Sequence, residues 1–359
     1  MPTDKIGVIG DLHLKDNLGY ADYITDRRIP EKEEILNFIV ENLKDCDTIV
    51  FLGDQFNRRN NPSLVIKEFV SFVERFDGKQ IYILAGNHEK QGDGKSAIDF
   101  LKAILGKAWE VIVDTVAIET IARIDEKTNK ISPTLESKIV FCPYFSKAEL
   151  GTKDNQEGSK LIMEKIGKGD ILFVHHAISD TLTAAGIDTN IFPEPVLPKK
   201  ELEKNFKLIF GGHIHTPQVS GTTIVAGSIF NEQIGDTGRY IWKIQTGPLK
   251  VEQIPLPGRK VYGLKDPEEK DLKPLEKNSI VKVTITKKET LAKLEQLKTK
   301  LRKFDAYLLL EQIPKERKKL HFGGDEGLLE FDIDQLLEMF AKERKIDLEK
   351  VKKGFELIR

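Results

Sequence analysis

The sequence predicts a layered α/β fold, and three observations predict it. Short β-branched runs alternate with helical patterns up to about residue 258. The runs are near-continuously apolar, as in strands covered on both faces, instead of alternating as in a strand with one wet face. The stretches between them carry apolar residues at helical spacing, which indicates layered α/β architecture rather than a sandwich.

In chain order, the predicted strands are Ile6 to Ile9, Ile49 to Leu52, Ile81 to Leu84, Ile139 to Phe141, Ile171 to Val174, Leu208 to Phe210 and Thr223 to Ala226. Glu31 to Leu43 is a predicted helix with Ile35, Phe38, Ile39 and Leu43 on one face, and Leu64 to Phe76 a second with Val65, Phe69, Phe72 and Val73. Pro255-Leu256-Pro257-Gly258 interrupts any regular element and marks a boundary. Beyond it, Ile280 to Ile285 alternates as a strand. Glu289 to Arg302 places Leu291, Leu294, Leu297 and Leu301 on one helical face, and Tyr307 to Leu310 is strand-like. A charged linker, Lys315 to Lys319, leads past Gly323-Gly324 to two short helical stripes, Ile333-Leu336-Leu337-Phe340 and Leu348-Val351-Phe355-Ile358. Helices of ~10 residues are marginal alone, so these stripes pack either on the protein's own small domain or on a coiled-coil partner. The expected domains are 1–258, 259–314 and 315–359.

Composition narrows the function. With 40% apolar and 31% charged residues in 359, the chain reads as ordinary and globular, and no run approaches the ~18 to 20 apolar residues that span a bilayer. The start, Met1-Pro2-Thr3-Asp4-Lys5, lacks the pattern of a secretory signal, so a cytoplasmic protein is expected. Cys46 and Cys142 have no C-x-x-C spacing and read as buried structural thiols. A formal charge of −1 argues against binding nucleic acid by bulk charge, leaving a local patch as the route. The acidic excess lies in the first 250 residues, where carboxylates could hold cations. There is no Gly-x-x-x-x-Gly-Lys-Ser/Thr loop, so any ATP dependence must come from outside the chain.

Six of the seven histidines sit immediately after predicted strands, each time beside other ligand-type residues. Asp11-Leu12-His13 follows the first strand, Gly53-Asp54 the second, Gly86-Asn87-His88-Glu89 the third, His175-His176 the fifth and Gly212-His213-Ile214-His215 the sixth. Carboxyl ends of strands form the ligand crevice of open α/β sheets, so these groups can converge although scattered in sequence. Asp, His and Asn donors without thiolate suit Mn²⁺, Fe²⁺ or Zn²⁺, and there are more of them than one ion needs. Two ions ~3.5 to 4 Å apart can share a carboxylate, activate water and bind the oxygens of a phosphoryl centre.

These five segments, in this order, resemble the motifs of the calcineurin-like metallophosphoesterase superfamily. The resemblance implies central β-sheets flanked by helices. It also implies that Asp11, His13, Asp54 and His215 hold one metal and Asp54, Asn87, His175 and His213 the other, with Asp54 bridging. His175 is preferred because it directly follows the apolar strand, with His176 the alternative. His88 resembles the family's non-ligand histidine, which contacts the scissile phosphate and can protonate the leaving oxygen. On this resemblance His88 and Asp54 are the expected catalytic residues.

A narrower resemblance is to SbcD-type nucleases, the nuclease subunits of double-strand-break repair and phage recombination complexes. It rests on Gly53-Asp54-Gln55-Phe56 followed by Pro62-Ser63, and on Ala226-Gly227-Ser228 followed by Gly238-Arg239-Tyr240. It implies a DNA exo- and endonuclease with a small α/β capping domain that binds DNA. Two divalent ions are implied, Mn²⁺ foremost, with Mg²⁺, Fe²⁺ or Zn²⁺ as alternatives. An SbcC-type coiled-coil ATPase would dock on the C-terminal helices, and a homodimer is a further expectation. Such a protein is nucleoid-associated, or works in the host cytoplasm if phage-encoded. The alternative is a stand-alone phosphodiesterase of small nucleotides, which needs neither small domain nor tail helices.

Two positions depart from the branch. Asn57 stands where many members have histidine, and Glu89 where they have aspartate. Asn57 can hydrogen-bond substrate but cannot transfer protons at neutral pH, so the departure bears on cleavage polarity and not on phosphodiester cleavage itself. Arg27-Arg28 and Arg58-Arg59 lie near the first two motifs and read either as grips on flanking phosphates or as solvated arginines.

Overall fold

The computed structural model describes residues 5–15, 28–90, 96–104, 109–125, 130–183, 186–230, 238–247, 249–258, 260–276, 279–301, 304, 306–311 and 347–349. The chain divides into two compact units, residues 1–313 and 314–359. The stripe Ile333 to Phe340, most of the stripe from Leu348, the charged linker and Arg27 lie outside the described residues.

The first unit opens with β1 (Lys5–Ile9), β2 (Thr48–Phe51), β3 (Gln80–Leu84) and β4 (Trp109–Ile112), which run parallel side by side. The chain then builds a second sheet from β5 (Ala117–Asp125), β6 (Lys130–Cys142), β7 (Ile171–Val174), β8 (Leu208–Gly211), β9 (Gln218–Ser220) and β10 (Thr223–Val225), in the order β5-β6-β7-β8-β10-β9. Its inner strands are parallel and its two edge strands antiparallel. The chain returns to the first sheet through β11 (Tyr240–Gln245) and β12 (Lys250–Pro255), giving the order β12-β11-β1-β2-β3-β4.

The two sheets face each other across an apolar layer containing Val8, Val50, Leu84, Ile139, Ile171 and Ile244. An aromatic ladder threads it. Tyr82 stacks on Phe141 at 4.2 Å, Phe141 on Phe173 at 5.4 Å, and Phe210 follows with Trp242 edge-on at 5.9 Å. Because successive strand residues point to opposite faces, Ile49 and Phe51 turn the other way, beneath helices. There α1 (Arg28–Leu43), α2 (Ser63–Glu74) and α3 (Leu101–Ile104) cover the first sheet through Ile35, Ile39, Val65, Phe69, Phe72 and Leu101. On the far side α4 (Asn155–Ile166) and α5 (Lys199–Asn205) cover the second through Ile162, Ile166 and Leu202. The order of layers is therefore helix, sheet, sheet, helix.

All seven runs read as strands are strands, and β2, β3, β7 and β8 are buried on both faces. The pairing of the two sheets is a finding that the pattern does not contain, because a helix layer and a second sheet bury a strand face equally well. Cys46 and Cys142 are free and buried, and burial raises both thiols, Cys46 to about 11.

After Gly258 the chain forms a three-stranded parallel sheet from β13 (Val261–Lys265), β14 (Ile280–Ile285) and β15 (Ala306–Glu311). The crossovers are α6 (Glu269–Leu272), then α7 (Lys288–Ala292) and α8 (Leu294–Leu301). Its own core joins Leu272, Val281, Val283, Ile285, Leu297, Leu301 and Phe304. The single helix expected over Glu289 to Arg302 is two, broken at Lys293. The strand Val261–Lys265 escapes the sequence reading because glycine sits at its centre. This module falls within the first compact unit. No helix among the described residues is long and apolar enough to cross a membrane.

Phe51 anchors the helix-covered face, with Phe69, Phe72 and Phe76 edge-on at 5.7, 6.0 and 6.4 Å. Phe51→Ala is expected to cost about 3–5 kcal/mol of unfolding free energy. Leu64→Ala, at a side chain 71% exposed, should stay within about 0.5 kcal/mol. Urea denaturation reads both.

Candidate active site

Five parallel strands end at one place. Asp11 and His13 follow β1, Asp54 follows β2, Asn87 and His88 follow β3, His175 follows β7, and His213 and His215 follow β8. Main-chain hydrogen bonds tie these loops together. The N–H groups of Leu12 and His13 donate to the Asp54 carbonyl at 3.1 and 2.8 Å. The His88 N–H donates to Asp54 Oδ1 and the His213 N–H to Asp11 Oδ2, both at 2.9 Å. The Ile229 N–H donates to the Asp11 carbonyl at 2.8 Å and the Ser228 N–H to the His215 carbonyl at 3.1 Å.

Glu89 is fully buried beneath this arrangement. Its Oε2 accepts from the N–H groups of Gly86 at 2.8 Å and Asp54 at 3.1 Å, and its Oε1 from the Phe56 N–H at 2.9 Å. The departure from aspartate at this position therefore falls on a residue that holds loops. Burial, then the Asp54 charge, raises its carboxyl to about 8.

Space is as tight as the hydrogen bonding. Glycine precedes Asp54, Asn87 and His213, and Gly53 takes a φ of 113° that a side chain rarely allows. At Gly86 the constraint is room: a Cβ there would lie 2.0 Å from Asp54 Oδ1. His13, Asp54 and His213 adopt left-handed φ values of 46°, 47° and 78° without being glycine. Such backbone costs about 1–3 kcal/mol per residue and persists where the surroundings over-determine it.

The side chains gather in two clusters joined by a third group. Asp11, His13 and His215 offer ligand atoms within 4.8 Å of one another, as do Asp54, His175 and His213, and His13, Asp54 and His88 form a group of the same kind that shares a residue with each. Asn87 Oδ1 completes the second cluster, 2.8 Å from His213 Nδ1 and 3.1 Å from His175 Nε2. Asp54 Oδ2 lies 3.3 Å from His175 Nε2 and 3.7 Å from His13 Nε2, facing both clusters. All seven residues expected as ligands are thus at the two clusters.

The donor chemistry fits cations. His175 Nδ1 donates to the Leu52 carbonyl at 2.7 Å, which leaves the neutral ring's lone pair on Nε2. His213 Nε2 donates to Glu194 Oε1 at 2.6 Å, which leaves that ring's lone pair on Nδ1. In the neutral tautomers that a metal ion requires, both lone pairs face Asn87 Oδ1. Asp11 Oδ1 and His13 Nδ1 are buried without a hydrogen-bond partner. A set of converging acceptors in carboxylate, imidazole and amide form suits a borderline or hard divalent ion.

Electrostatics give the same picture. Burial opposes the charge of Asp54, but His175 and His13 outweigh it and hold the carboxyl far below the carboxylate range. Burial also opposes a charge on His175, but Asp54 and Asp11 lift it to about 10. Burial raises Asp11 to about 6, and it lowers His13 and His215, the latter to about 4. The centre draws positive charge to Asp54 while keeping its outer histidines neutral and able to donate lone pairs.

His176 is turned away. Its Nε2 accepts from the Phe145 N–H at 2.9 Å and its ring stacks on Tyr144 at 4.9 Å. His88 forms a ligand-capable group with His13 and Asp54, lies edge-on to His13 with ring centres 4.7 Å apart, and its Nδ1 donates to the Asn57 main-chain carbonyl at 2.7 Å. Asn57 and Arg59 are half-buried and Arg58 is exposed on the loop that carries this carbonyl. The Asn61 amide donates to the carbonyls of Arg58 and Arg59 and shapes that loop.

Two residues at the clusters, Glu194 and Tyr144, went unread in the sequence. Glu194 accepts from His213 Nε2 through Oε1 and from the Tyr144 hydroxyl through Oε2, the latter at 3.1 Å. Burial works against its charge, but the His213 and Tyr144 hydrogen bonds hold it below the usual carboxylate range. It lies in Phe192-Pro193-Glu194-Pro195, which follows no strand and carries no histidine.

Glu89→Ala would strip the acceptor from three N–H groups on two ligand-bearing loops, at about 1–3 kcal/mol for each group left unpaired. The expected outcome is a lower melting temperature together with weaker divalent-ion binding, read by calorimetry on one preparation.

Residues 4–217 match the calcineurin-like phosphoesterase family. One solved structure, from a structural and functional characterization of a novel archaeal phosphodiesterase, is similar over 70% of this chain and 99% of its own, at 14% identity and a TM-score of 0.32. The family match begins at the edge of β1, ends two residues past His215, and takes in every residue of both clusters. The chain belongs to the calcineurin-like phosphoesterase family.

Proposed function

We propose that the protein is a two-metal DNA nuclease, the nuclease subunit of an SbcC-type ATPase-coupled complex that processes DNA ends in repair or recombination. The observation that carries hydrolysis is Asp54 Oδ2 facing two clusters at once. Asp11, His13, Asp54 and His215 would hold one ion, and Asp54, Asn87, His175 and His213 the other, Mn²⁺ foremost. Ions so held supply Lewis-acid stabilisation of phosphoryl oxygens and a water of lowered pKa.

The chain's own groups do the rest. The Asn57 carbonyl accepts from His88 Nδ1, which leaves Nε2 to contact the scissile phosphate and, when the ring is doubly protonated, to give its proton to the leaving oxygen and revert to the neutral Nδ1–H form. Arg58 and Arg59 would grip flanking phosphates from the same loop. The choice of DNA is supported by the resemblance around Gln55-Phe56 and Ala226-Gly227-Ser228 and by the small α/β module after Gly258. Residues 315–359 would dock the coiled-coil ATPase, and a second copy of the chain completes the proposed assembly. The alternative, a stand-alone phosphodiesterase of small nucleotides, is favoured by the formal charge of −1, which gives no bulk attraction for DNA.

The deciding assay uses Mn²⁺ with end-labelled linear duplex, circular single-stranded DNA and a cyclic nucleotide, with and without a coiled-coil ATPase. Cleavage of both DNA substrates, stimulated on duplex ends by the ATPase and ATP, is the expected result. Turnover of the cyclic nucleotide alone would overturn the nuclease reading.

His88→Gln should lower turnover by roughly 10² to 10⁴ with both ions retained, the range for a positioned general acid. Calorimetric loss of one ion in that variant would instead make His88 a ligand.

A further inference from the structure

The carboxylate on His213 belongs to a segment built to keep it there. Prolines 193 and 195 flank Glu194, and each fixes its own φ and restricts the residue before it. Side chains from elsewhere hold the segment's carbonyls. Asn155 Nδ2 donates to the Phe192 carbonyl at 3.3 Å, Lys147 Nζ to that of Pro193 at 3.2 Å, and Ser159 Oγ to that of Val196 at 2.8 Å. Pro195 seats against Gly158 of α4, where any side-chain carbon would come within 2.8 Å of the proline ring. Glu194 therefore reaches His213 from a clamped strap, and Tyr144 fixes its second oxygen.

A histidine meets an ion with one ring nitrogen, and the group on its other nitrogen decides which one. Glu194 accepts at Nε2, so Nδ1 carries the lone pair beside Asn87 Oδ1. On the two-ion reading proposed above, we infer that Glu194 is a positioning residue that sets the tautomer and angle of His213 and thereby the affinity of the ion shared by Asp54, Asn87, His175 and His213. It acts on one ion and not on the other, because its contacts run to His213 and Tyr144 and not to Asp11, His13 or His215. Where a carboxylate orients a ligating histidine in this way, its removal typically weakens metal binding by 10- to 100-fold.

The test is titration of Mn²⁺ into chelator-stripped full-length protein by calorimetry, with ¹⁵N-histidine spectra reading the ring tautomers. The wild type should bind two ions and show His213 protonated at Nε2. Glu194→Ala should weaken one ion 10- to 100-fold, leave the other unchanged, and mix the His213 tautomers. Glu194→Gln keeps an acceptor oxygen at the same reach, so it should restore the tautomer and recover part of the affinity.

Unchanged affinity for both ions in Glu194→Ala would overturn the inference. Equal weakening of both, with a lowered melting temperature that Glu194→Gln does not rescue, would make the strap merely structural and also overturn it. A wild type that binds two ions but leaves DNA intact would remove the nuclease reading and keep this inference. A wild type that binds none would remove both.

Discussion

Asp54 is the point through which the structure is tied. Its carbonyl takes the N–H groups of the first ligand loop, its N–H is held by Glu89 from the third, and its carboxylate takes the His88 N–H before it meets any histidine ring. One residue thus fixes the relative positions of three strand ends, and a left-handed φ is the strain that this convergence imposes. Gly86 completes the constraint, since nothing larger fits against the Asp54 carboxylate. The six-stranded sheets set the approximate distance between the loops, and these contacts set it finely.

The electrostatic design follows from burial. Two fully buried aspartates stand among histidines that themselves lose their charge on burial, and their own opposite charges satisfy only part of the demand. His175 is the exception, held toward its charged form because Asp54 and Asp11 both face it. A polar cluster built only for stability would pair each acceptor with a donor. This one leaves Asp11 Oδ1 and His13 Nδ1 buried without a partner, and the organisation is intelligible as that of a family that hydrolyses phosphoesters.

Much of this was legible in the sequence, for a physical reason. Strands such as Ile171–Val174 are apolar on both faces, so they stand out as runs, and a histidine or aspartate directly after such a run has few places to go. The short edge strands and the antiparallel pair Tyr240–Gln245 and Lys250–Pro255 did not stand out. The latter strand has mostly exposed polar positions and resembles a loop in composition. Glu194 was hidden for a different reason. Its position depends on two prolines, an asparagine, a lysine and a serine distant in sequence, and no local period records such a clamp. The facing of the two sheets was likewise invisible, because burial by a sheet and burial by helices leave the same hydrophobic trace.

The acceptor for His88 Nδ1 is a main-chain oxygen, and this has an evolutionary meaning. A side-chain acceptor would be lost with its residue, whereas the peptide carbonyl at position 57 survives any replacement that leaves the loop in place. A change of the half-buried side chain there would leave the orientation of the neighbouring imidazole in place. The ring's orientation is thus written in backbone, and the side chain at position 57 can change without rewriting it.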